Sequence, residues 1–285
     1  MANDLLKCGF VIVDLLDDTE VQQLTSLTQK YLTQPGQDFI SSSHFLSMDD
    51  SKQINHELHS IIQPKTDILF PALELLGGTL ATKIKGKDIL KAHNDWSIVD
   101  ETIHNSYNLW IPLVNTGKEN GTLGLIPGSH LWNNKLRGLG IPGDYESYTH
   151  QFLGIGYEPA LNAGQAILYN HKLIHYSRPN KTDQPRNTAI IGMKDKEAGL
   201  QVSFSADNKT IETYRATEED FYGFDVKKIS SHNQQLPTVP LYTERIGWEE
   251  IRTKFNSHLP EEFSNLFCKR ESLISKLLHK FKFSY

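Results

Sequence analysis

Cysteine is scarce in this sequence. The two cysteines, Cys8 and Cys268, lie near opposite ends of the 285-residue chain and form no CxxC pair. They provide no disulfide framework, and this usage is more typical of a reducing compartment than of secretion. We therefore expect a cytoplasmic location.

Long apolar segments are also missing. No run approaches the roughly 18 apolar residues that a membrane-spanning helix requires. The first four residues do not begin a basic region followed by a long apolar stretch, so we expect no signal peptide. These absences predict a soluble, intracellular protein without a membrane span.

Positive charge is not in excess. Lys and Arg number 29 against 34 Asp and Glu, which gives a net charge of −5 and a pI near 6.2. This balance offers no electrostatic argument for nucleic acid as a partner. The apolar fraction of 38% is ordinary for a soluble enzyme, and the oligomeric state stays open.

What the sequence does contain is a short histidine and aspartate motif, His93-Asn94-Asp95, with His175 far downstream. Side chains alternate faces along a strand, so His93 and Asp95 point the same way and Asn94 points away. Two imidazoles and one carboxylate hold Fe(II) on one triangular face and leave the other face open for substrate and O2. The motif alone is weak, because the chain has 12 histidines and accidental pairings are common.

The segment around His175 has the pattern of strands. Apolar runs at 166–169 and 173–174 are flanked by Gly164 and Pro179. A jelly-roll or cupin-like barrel would bring such a strand beside the first ligand pair. His171 is an alternative third ligand, because four positions along a strand keep the same face.

Arg186 follows His175 after a turn and begins an apolar strand. A hairpin of this length returns the chain beside its starting strand, so the guanidinium can reach the mouth of the barrel. Its planar fork grips a carboxylate through two parallel hydrogen bonds. An iron oxygenase that uses 2-oxoglutarate needs such a group for the distal carboxylate.

Taken together, these residues give the chain a family resemblance. The sequence resembles the phytanoyl-CoA dioxygenase family of Fe(II)- and 2-oxoglutarate-dependent oxygenases over most of its length. The order of the motifs carries the likeness, and their combination is far more specific than any one of them. The matching segments are Gly9 to Val13, His93 to Trp96, Leu109 to Leu113, Glu119 to Leu123, Ile126 to His130, Gly164 to Ala166, and then His175, Ser177 and Arg186.

The resemblance implies a set of site residues and a fold. Fe(II) would be held by His93, Asp95 and His175, in a mainly β fold with flanking helices, a double-stranded β-helix of the jelly-roll or cupin-like kind. Arg186 would clamp the distal carboxylate of 2-oxoglutarate. By family position Ser177 shares that carboxylate and Trp110 walls the cosubstrate pocket; alternatively, Ser177 is a turn hydroxyl and Trp110 a core aromatic.

Two departures from the family pattern bear on the chemistry. Asn94 replaces the usual Gln, a minor change, and Tyr176 stands where relatives have Gly, so this ring either lines the pocket or faces outward. Asp95 is retained, whereas halogenating relatives have Gly or Ala there.

The retained carboxylate favours hydroxylation of an unactivated C–H bond in a small organic molecule, with 2-oxoglutarate decarboxylated to succinate and CO2 and O2 as the other cosubstrate. The same iron centre also supports desaturation, epimerisation or cyclisation in secondary metabolism, and these stay open because the outcome depends on how substrate is placed. A barrel that has lost catalysis and only binds is the remaining alternative.

We expect one catalytic domain over residues 1–285. It would consist of an N-terminal strand and helices (1–78), the jelly-roll core (79–195) and a C-terminal extension (196–285). Apolar positions at helical spacing predict a helix over 19–32, with Asp17 or Asp18 as its N-cap. Residues 51–76 predict a second helical stretch, interrupted near Pro64 and Pro71.

Further segments carry expectations of their own. Residues 133–158, rich in Gly and Pro, predict a long loop beside the mouth of the site, where lids tend to lie. Residues 263–282 predict a basic amphipathic helix that packs on the barrel or associates with an anionic membrane surface. Lys83 and Lys85 are expected at a solvated strand edge, and Asn108 on an inward strand face.

Overall fold

The computed structural model describes residues 2–32, 38–44, 46–132, 134–222 and 225–263. Cys268 and the basic helix predicted at 263–282, apart from Phe263, lie outside these residues. No helix in the described ranges combines the length and the apolar character needed to cross a bilayer.

Strands form the centre of the molecule, and helices lie around them. The strands in the described residues are β1 Phe10–Asp14, β2 Phe39–Ser41, β3 Leu73–Lys83, β4 Leu90–His93, β5 Ser106–Pro112, β6 Leu123–Leu125, β7 Gln165–Asn170, β8 His175–Ser177, β9 Arg186–Asp195, β10 Gln201–Phe204, β11 Thr210–Arg215 and β12 Val239–Pro240. The α-helices are α1 Ala2–Cys8, α2 Asp18–Tyr31, α3 Met48–Leu69, α4 Thr149–Ile155, α5 Glu219–Tyr222, α6 Val226–His232 and α7 Trp248–His258.

Two antiparallel sheets make up the barrel. The larger has six strands in the order β1-β7-β5-β9-β3-β2, and the smaller has three in the order β4-β8-β6. A third sheet, β10-β11-β12, follows in the C-terminal part. In the two barrel sheets, every pair of neighbouring strands except β2 and β3 is non-consecutive in the chain, as expected when the chain passes between two sheets. The predicted double-stranded β-helix is confirmed.

The larger sheet has two different faces, and strand β5 shows why. Leu109 and Ile111 are fully buried in an apolar core shared with α2 and α3. Asn108 and Trp110 lie between them in sequence and face a cavity on the opposite side of the sheet. This period of two is that of a pleated strand, so one face builds the core and the other supplies the site.

Helix α2 begins where the sequence predicts. The Asp17 carboxylate accepts from the Glu20 backbone N–H at 2.9 Å, and the Glu20 carboxylate accepts from the Asp17 N–H, also at 2.9 Å. This capping box satisfies two backbone donors that a helix start leaves without partners. The helix then buries Val21, Leu24 and Leu27 in the core.

Helix α3 corrects one prediction. It runs unbroken through Pro64, and Pro71 lies beyond its end. A proline inside a helix removes one backbone hydrogen bond and crowds the preceding turn. Here Ile54, Leu58 and Ile62 are fully buried against the larger sheet, and this packing offsets the local loss.

The segment 133–158 is only partly a loop. A short 3₁₀ helix at Glu146–Tyr148 leads directly into α4. Phe152 on α4 is fully buried in an apolar cluster with Trp132 and Tyr145, which holds this end of the segment in place. The prediction of one continuous loop is therefore wrong for its second half.

Candidate active site

The smaller sheet places two histidines next to each other on adjacent strands. His93 ends β4 and His175 begins β8, and the antiparallel register pairs them directly. Their ring centroids are 4.2 Å apart, and Asp95, just past the end of β4, places Oδ2 3.8 Å from His175 Nε2. One ligand atom from each of the three residues lies within 4.8 Å of the others. This is the spacing of groups that converge on one ion.

Backbone carbonyls set the protonation of both imidazoles. His93 Nδ1 lies 2.7 Å from the Lys91 carbonyl oxygen, and His175 Nδ1 lies 3.0 Å from the Leu173 oxygen. A carbonyl can only accept, so Nδ1 is the protonated nitrogen of each ring, and Nε2 is the nitrogen that offers a lone pair when the ring is neutral. Burial also lowers the pKa of His175 to about 4, which keeps the ring neutral at physiological pH. Neutral imidazoles with free Nε2 atoms are in the form that binds metal.

Asp95 is held as a carboxylate. Burial acts to raise its pKa, but the neighbouring imidazoles, His175 foremost, lower it to below its usual value. Asn108 on β5 donates to Asp95 Oδ2 at 2.9 Å, which stabilises the same charged form. The larger sheet thus orients a ligand whose partners lie on the smaller one.

The donor set and its surroundings fit a divalent iron. Two nitrogens and one oxygen on one triangular face are the set typical of non-haem Fe(II), with the remaining positions open. The three ligand candidates line a cavity of about 500 Å³, together with Asn108, Tyr169 and His171. The Tyr169 ring packs against the His175 ring at an angle of 54°, with centroids 4.8 Å apart, and restrains this ligand candidate further.

Arg186 lies in the same cavity as a buried cation. It is 3% exposed, its guanidinium carbon lies 5.5 Å from the centre of the Trp110 ring, and its Nε has no acceptor among the described residues. Burial lowers its pKa to about 10, so it remains charged at neutral pH. A buried charge of this kind is costly unless an anion pairs with it. Its position at the start of β9 therefore points to an anionic ligand.

Ser177 lies two residues after His175 on β8 and lines the same cavity. Its Oγ accepts from Lys83 Nζ at 2.9 Å and lies 3.1 Å from the Gly121 carbonyl oxygen. Ser177, Trp110 and Arg186 are therefore brought together with the three ligand candidates.

Lys83 is buried, so the expectation of a solvated edge is wrong for this residue. It is 1% exposed, because the register of β3 and β9 pairs it with Arg186 on the inward face. Lys85, two positions on, is exposed as expected and pairs with Asp183 at 2.7 Å. Nothing in the local sequence indicates that Lys83 is buried and Lys85 exposed. The strand register determines this difference.

His171 lines the same cavity but does not converge with the three ligand candidates. Strand β7 ends at Asn170 and β8 starts at His175, so His171 lies in the intervening turn and the spacing of four along one strand does not apply. Its Nδ1 lies 3.0 Å from Ser106 Oγ, while its Nε2 is buried without a partner among the described residues. Among the described residues, the candidate metal cluster consists of His93, Asp95 and His175 and does not include His171.

Comparison with known proteins agrees with this geometry. The family model described as phytanoyl-CoA dioxygenase (PhyH) matches residues 7–188, which is more than half of the chain. The chain belongs to the phytanoyl-CoA dioxygenase family. It is accordingly an enzyme of the 2-oxoglutarate-dependent non-haem iron oxygenases. No curated protein matches the sequence.

Solved structures share the fold of this family member at low sequence identity. The epimerase SnoN from nogalamycin biosynthesis, in complex with Fe3+, alpha ketoglutarate and nogalamycin RO, is 20% identical with a TM-score of 0.53, covering 70% of this chain and 84% of that one. The carbocyclase SnoK from the same biosynthesis is 16% identical, with a TM-score of 0.52 and coverages of 70% and 84%. HygX from Streptomyces hygroscopicus, with nickel and 2-oxoglutarate bound, is 18% identical, with a TM-score of 0.51 and coverages of 69% and 86%.

The structure also accounts for two departures from the phytanoyl-CoA dioxygenase pattern. Asn94 points away from the cavity, as predicted, and donates to the Lys172 carbonyl. Tyr176 neither lines the cavity nor faces outward; it is fully buried in the apolar cluster behind β8. Gly124 and Gly156 make room for it, since a Cβ at either position would lie 2.4 Å or less from an atom of the Tyr176 side chain. The bulkier residue is thus matched by two glycines outside the site.

Proposed function

We propose that this protein is an Fe(II)- and 2-oxoglutarate-dependent dioxygenase that hydroxylates an unactivated C–H bond of a small organic molecule, with decarboxylation of 2-oxoglutarate to succinate and CO2. One observation carries the proposal. Two imidazole nitrogens and a carboxylate oxygen converge in a single cavity that also holds a buried arginine, whose Nε has no acceptor among the described residues. This combination suits a metal and a carboxylate ligand at the same time.

Each residue has a distinct role in the proposal. His93, Asp95 and His175 would hold the iron, and bound iron would supply the activation of O2 for C–H oxidation. Arg186 would bind the distal carboxylate of 2-oxoglutarate through its planar fork.

The walls of the cosubstrate pocket have supporting roles. Ser177 would offer its hydroxyl to the same carboxylate, and Trp110 would keep water from the guanidinium while restricting where the cosubstrate lies. A ring stacked on an arginine stabilises its charge and limits its motion.

The rest of the cavity would receive the substrate. Beyond the metal-facing end, its lining combines apolar and uncharged polar groups with one carboxylate. Such a mixture suits a small molecule with both hydrocarbon and hydrogen-bonding parts. The lining residues in question are Ile54, Leu76, Ile98, Leu200 and Phe221, then Ser42, Ser43, Asn55 and Thr79, and the carboxylate of Glu218.

The proposal is tested first without substrate. Under anaerobic conditions, protein loaded with Fe(II) and given 2-oxoglutarate is expected to show a metal-to-keto-acid charge-transfer band. Absence of the band from protein shown to contain iron would exclude the proposed cosubstrate.

Substrate and outcome are tested next. Succinate release across a small-molecule library identifies compounds that are turned over, and the mass and NMR spectrum of the product identify the reaction. Hydroxylation adds one oxygen, desaturation and oxidative cyclisation each remove two hydrogens and are told apart by NMR, and epimerisation leaves the mass unchanged. A product without added oxygen would replace hydroxylation by one of the other outcomes while keeping the iron centre.

A further inference from the structure

Lys83 is the second buried cation of this region and takes no direct part in the function proposed above. Its Nζ donates to Ser177 Oγ at 2.9 Å, to the Arg178 carbonyl at 2.7 Å and to the Ser177 carbonyl at 3.3 Å. These three acceptors satisfy the three protons of the ammonium group. Among the described residues, no carboxylate pairs with it.

The two cations are neighbours. Lys83 ends β3 and Arg186 begins β9, and the antiparallel register pairs these residues directly, so both side chains leave the same face of the sheet. Burial, and after it the charge of Arg186, lower the pKa of Lys83 to about 7, although the charges of Asp88 and Asp38 act in the opposite direction. Two buried positive charges side by side favour an anion that carries more than one unit of charge or accepts several hydrogen bonds.

The Lys83 contact also determines what the Ser177 hydroxyl can do. An ammonium group can only donate, so it occupies an acceptor position on Ser177 Oγ and leaves the single hydroxyl proton to be given elsewhere. Two backbone carbonyls lie within reach of this proton, that of Gly121 at 3.1 Å and that of Arg178 at 3.2 Å. Gly121 has φ +74°, and a Cβ there would lie 2.4 Å from the Arg178 carbonyl oxygen, so only glycine lets this loop close over Ser177.

We propose that Lys83 is a positioning residue for the cosubstrate: its ammonium group holds Ser177 Oγ as a donor and, with Arg186, selects a 2-oxo acid that carries a distal carboxylate. The inference rests on the proposed function, because it assigns a residue to the same cosubstrate. Lys83 acts through Ser177 and through its charge, since its Nζ is already enclosed by protein oxygens.

The experiment compares two ligands that differ only at the distal end. Binding of 2-oxoglutarate and of 2-oxopentanoate, which has the same chain length but no distal carboxylate, is measured anaerobically with Fe(II) in wild type, Lys83→Met and Lys85→Met. Lys83→Met is expected to weaken 2-oxoglutarate binding about tenfold or more and 2-oxopentanoate binding less than about twofold. Lys85→Met, a change at an exposed lysine, is expected to alter neither.

The outcomes separate the inference from the function on which it rests. If the wild type with iron binds neither 2-oxo acid, the proposed function fails. If the wild type binds 2-oxoglutarate but Lys83→Met weakens both ligands equally, or weakens neither, Lys83 has no part in selecting the distal carboxylate. Lys83→Arg retains the charge and is expected to recover most of the discrimination between the two ligands.

A second measurement needs no substitution at a buried site. In protein with 13C-labelled lysine and Zn(II) in place of iron, the Lys83 ε-carbon is followed against pH. With 2-oxopentanoate bound, Lys83 is expected to titrate near the pKa of about 7 that burial and Arg186 give it in the folded protein. With 2-oxoglutarate bound, it is expected to stay protonated to higher pH. The same titration with both ligands would overturn the inference even if every Lys83 variant failed to fold.

Discussion

At the residue scale, metal binding depends on which nitrogen of each imidazole is free. The Lys91 and Leu173 carbonyls fix the proton on Nδ1 of His93 and His175, and the Nε2 atoms are left for the ion. A backbone acceptor two residues before each histidine does this in both cases. The tautomer is therefore set by the local path of the strands, before any metal arrives.

His175 and His171 offer a direct comparison within one chain. We expect His175→Ala to abolish retention of Fe(II), because it removes one of three converging ligands. His171→Ala is expected to retain iron, since His171 instead bonds to Ser106. Iron content after desalting, measured by a colorimetric chelator, checks both; retention by His175→Ala and loss by His171→Ala would reverse the assignment.

Asn108 supports a second prediction at this scale. Asn108→Ala removes the hydrogen bond that orients Asp95 and is expected to weaken metal binding about 10- to 100-fold. Titration with Co(II), followed by its visible absorption, gives the affinity. Asn187→Ala is the matched control, because the Asn187 amide bonds to Thr82 and not to a ligand. Equal affinities in wild type and Asn108→Ala would show that Asp95 needs no such support.

The site residues divide into those that sequence could predict and those that it could not. His93, Asp95, His175 and Arg186 were predictable as candidates because their chemistry is specific and their order matches a family pattern. Lys83 was not, since lysine on a strand is usually exposed and only the pairing with β9 turns it inward. Such roles depend on the register between strands that are distant in the sequence, and no local pattern contains this register.

At the scale of single elements, sequence patterns were reliable where local chemistry decides the structure. Helix α2 follows from Asp17 and the spacing of its leucines. For helix α3 the local sequence predicts a break, because proline disfavours a helix interior. The helix continues through Pro64 because Leu58 and Ile62 are buried against the sheet. The second half of 133–158 is helical for a similar reason, since Phe152 packs into an apolar cluster formed by distant residues.

The capping box gives a prediction at the element scale. Asp17→Ala removes the acceptor for the Glu20 N–H and is expected to lower the free energy of unfolding by about 1 kcal/mol. Urea denaturation followed by circular dichroism measures the change. Asp18→Ala, one position on and within the first turn, serves as the control and is expected to cost less. A larger loss from Asp18→Ala would show that this helix start does not depend on its cap.

At the scale of the whole molecule, the site joins the two sheets. The smaller sheet supplies His93 and His175, and the larger supplies Asn108, Trp110 and Arg186. Between the two sheets, Arg186 is a buried cation that forms no ion pair with any described residue. Ligands that bind only the folded state add to stability through linkage, and here they would also offset the cost of burying this charge.

This linkage gives the last prediction. With Co(II) saturating and 2-oxoglutarate at about 100 times its Kd, the free energy of unfolding is expected to rise by about 2.7 kcal/mol above that with Co(II) alone. In Arg186→Met, the increase in the free energy of unfolding caused by Co(II) is expected to remain, because the metal ligands are intact. The further increase caused by 2-oxoglutarate at the same concentration is expected to be largely lost, because the arginine that binds the distal carboxylate is absent. Urea denaturation of both proteins under anaerobic conditions, without ligand, with Co(II) and with Co(II) plus 2-oxoglutarate, gives the Co(II) increment and the 2-oxoglutarate increment for each protein. An unchanged 2-oxoglutarate increment in Arg186→Met would mean that another group holds the distal carboxylate, and a lost Co(II) increment would mean that Arg186 instead maintains the geometry of the metal ligands.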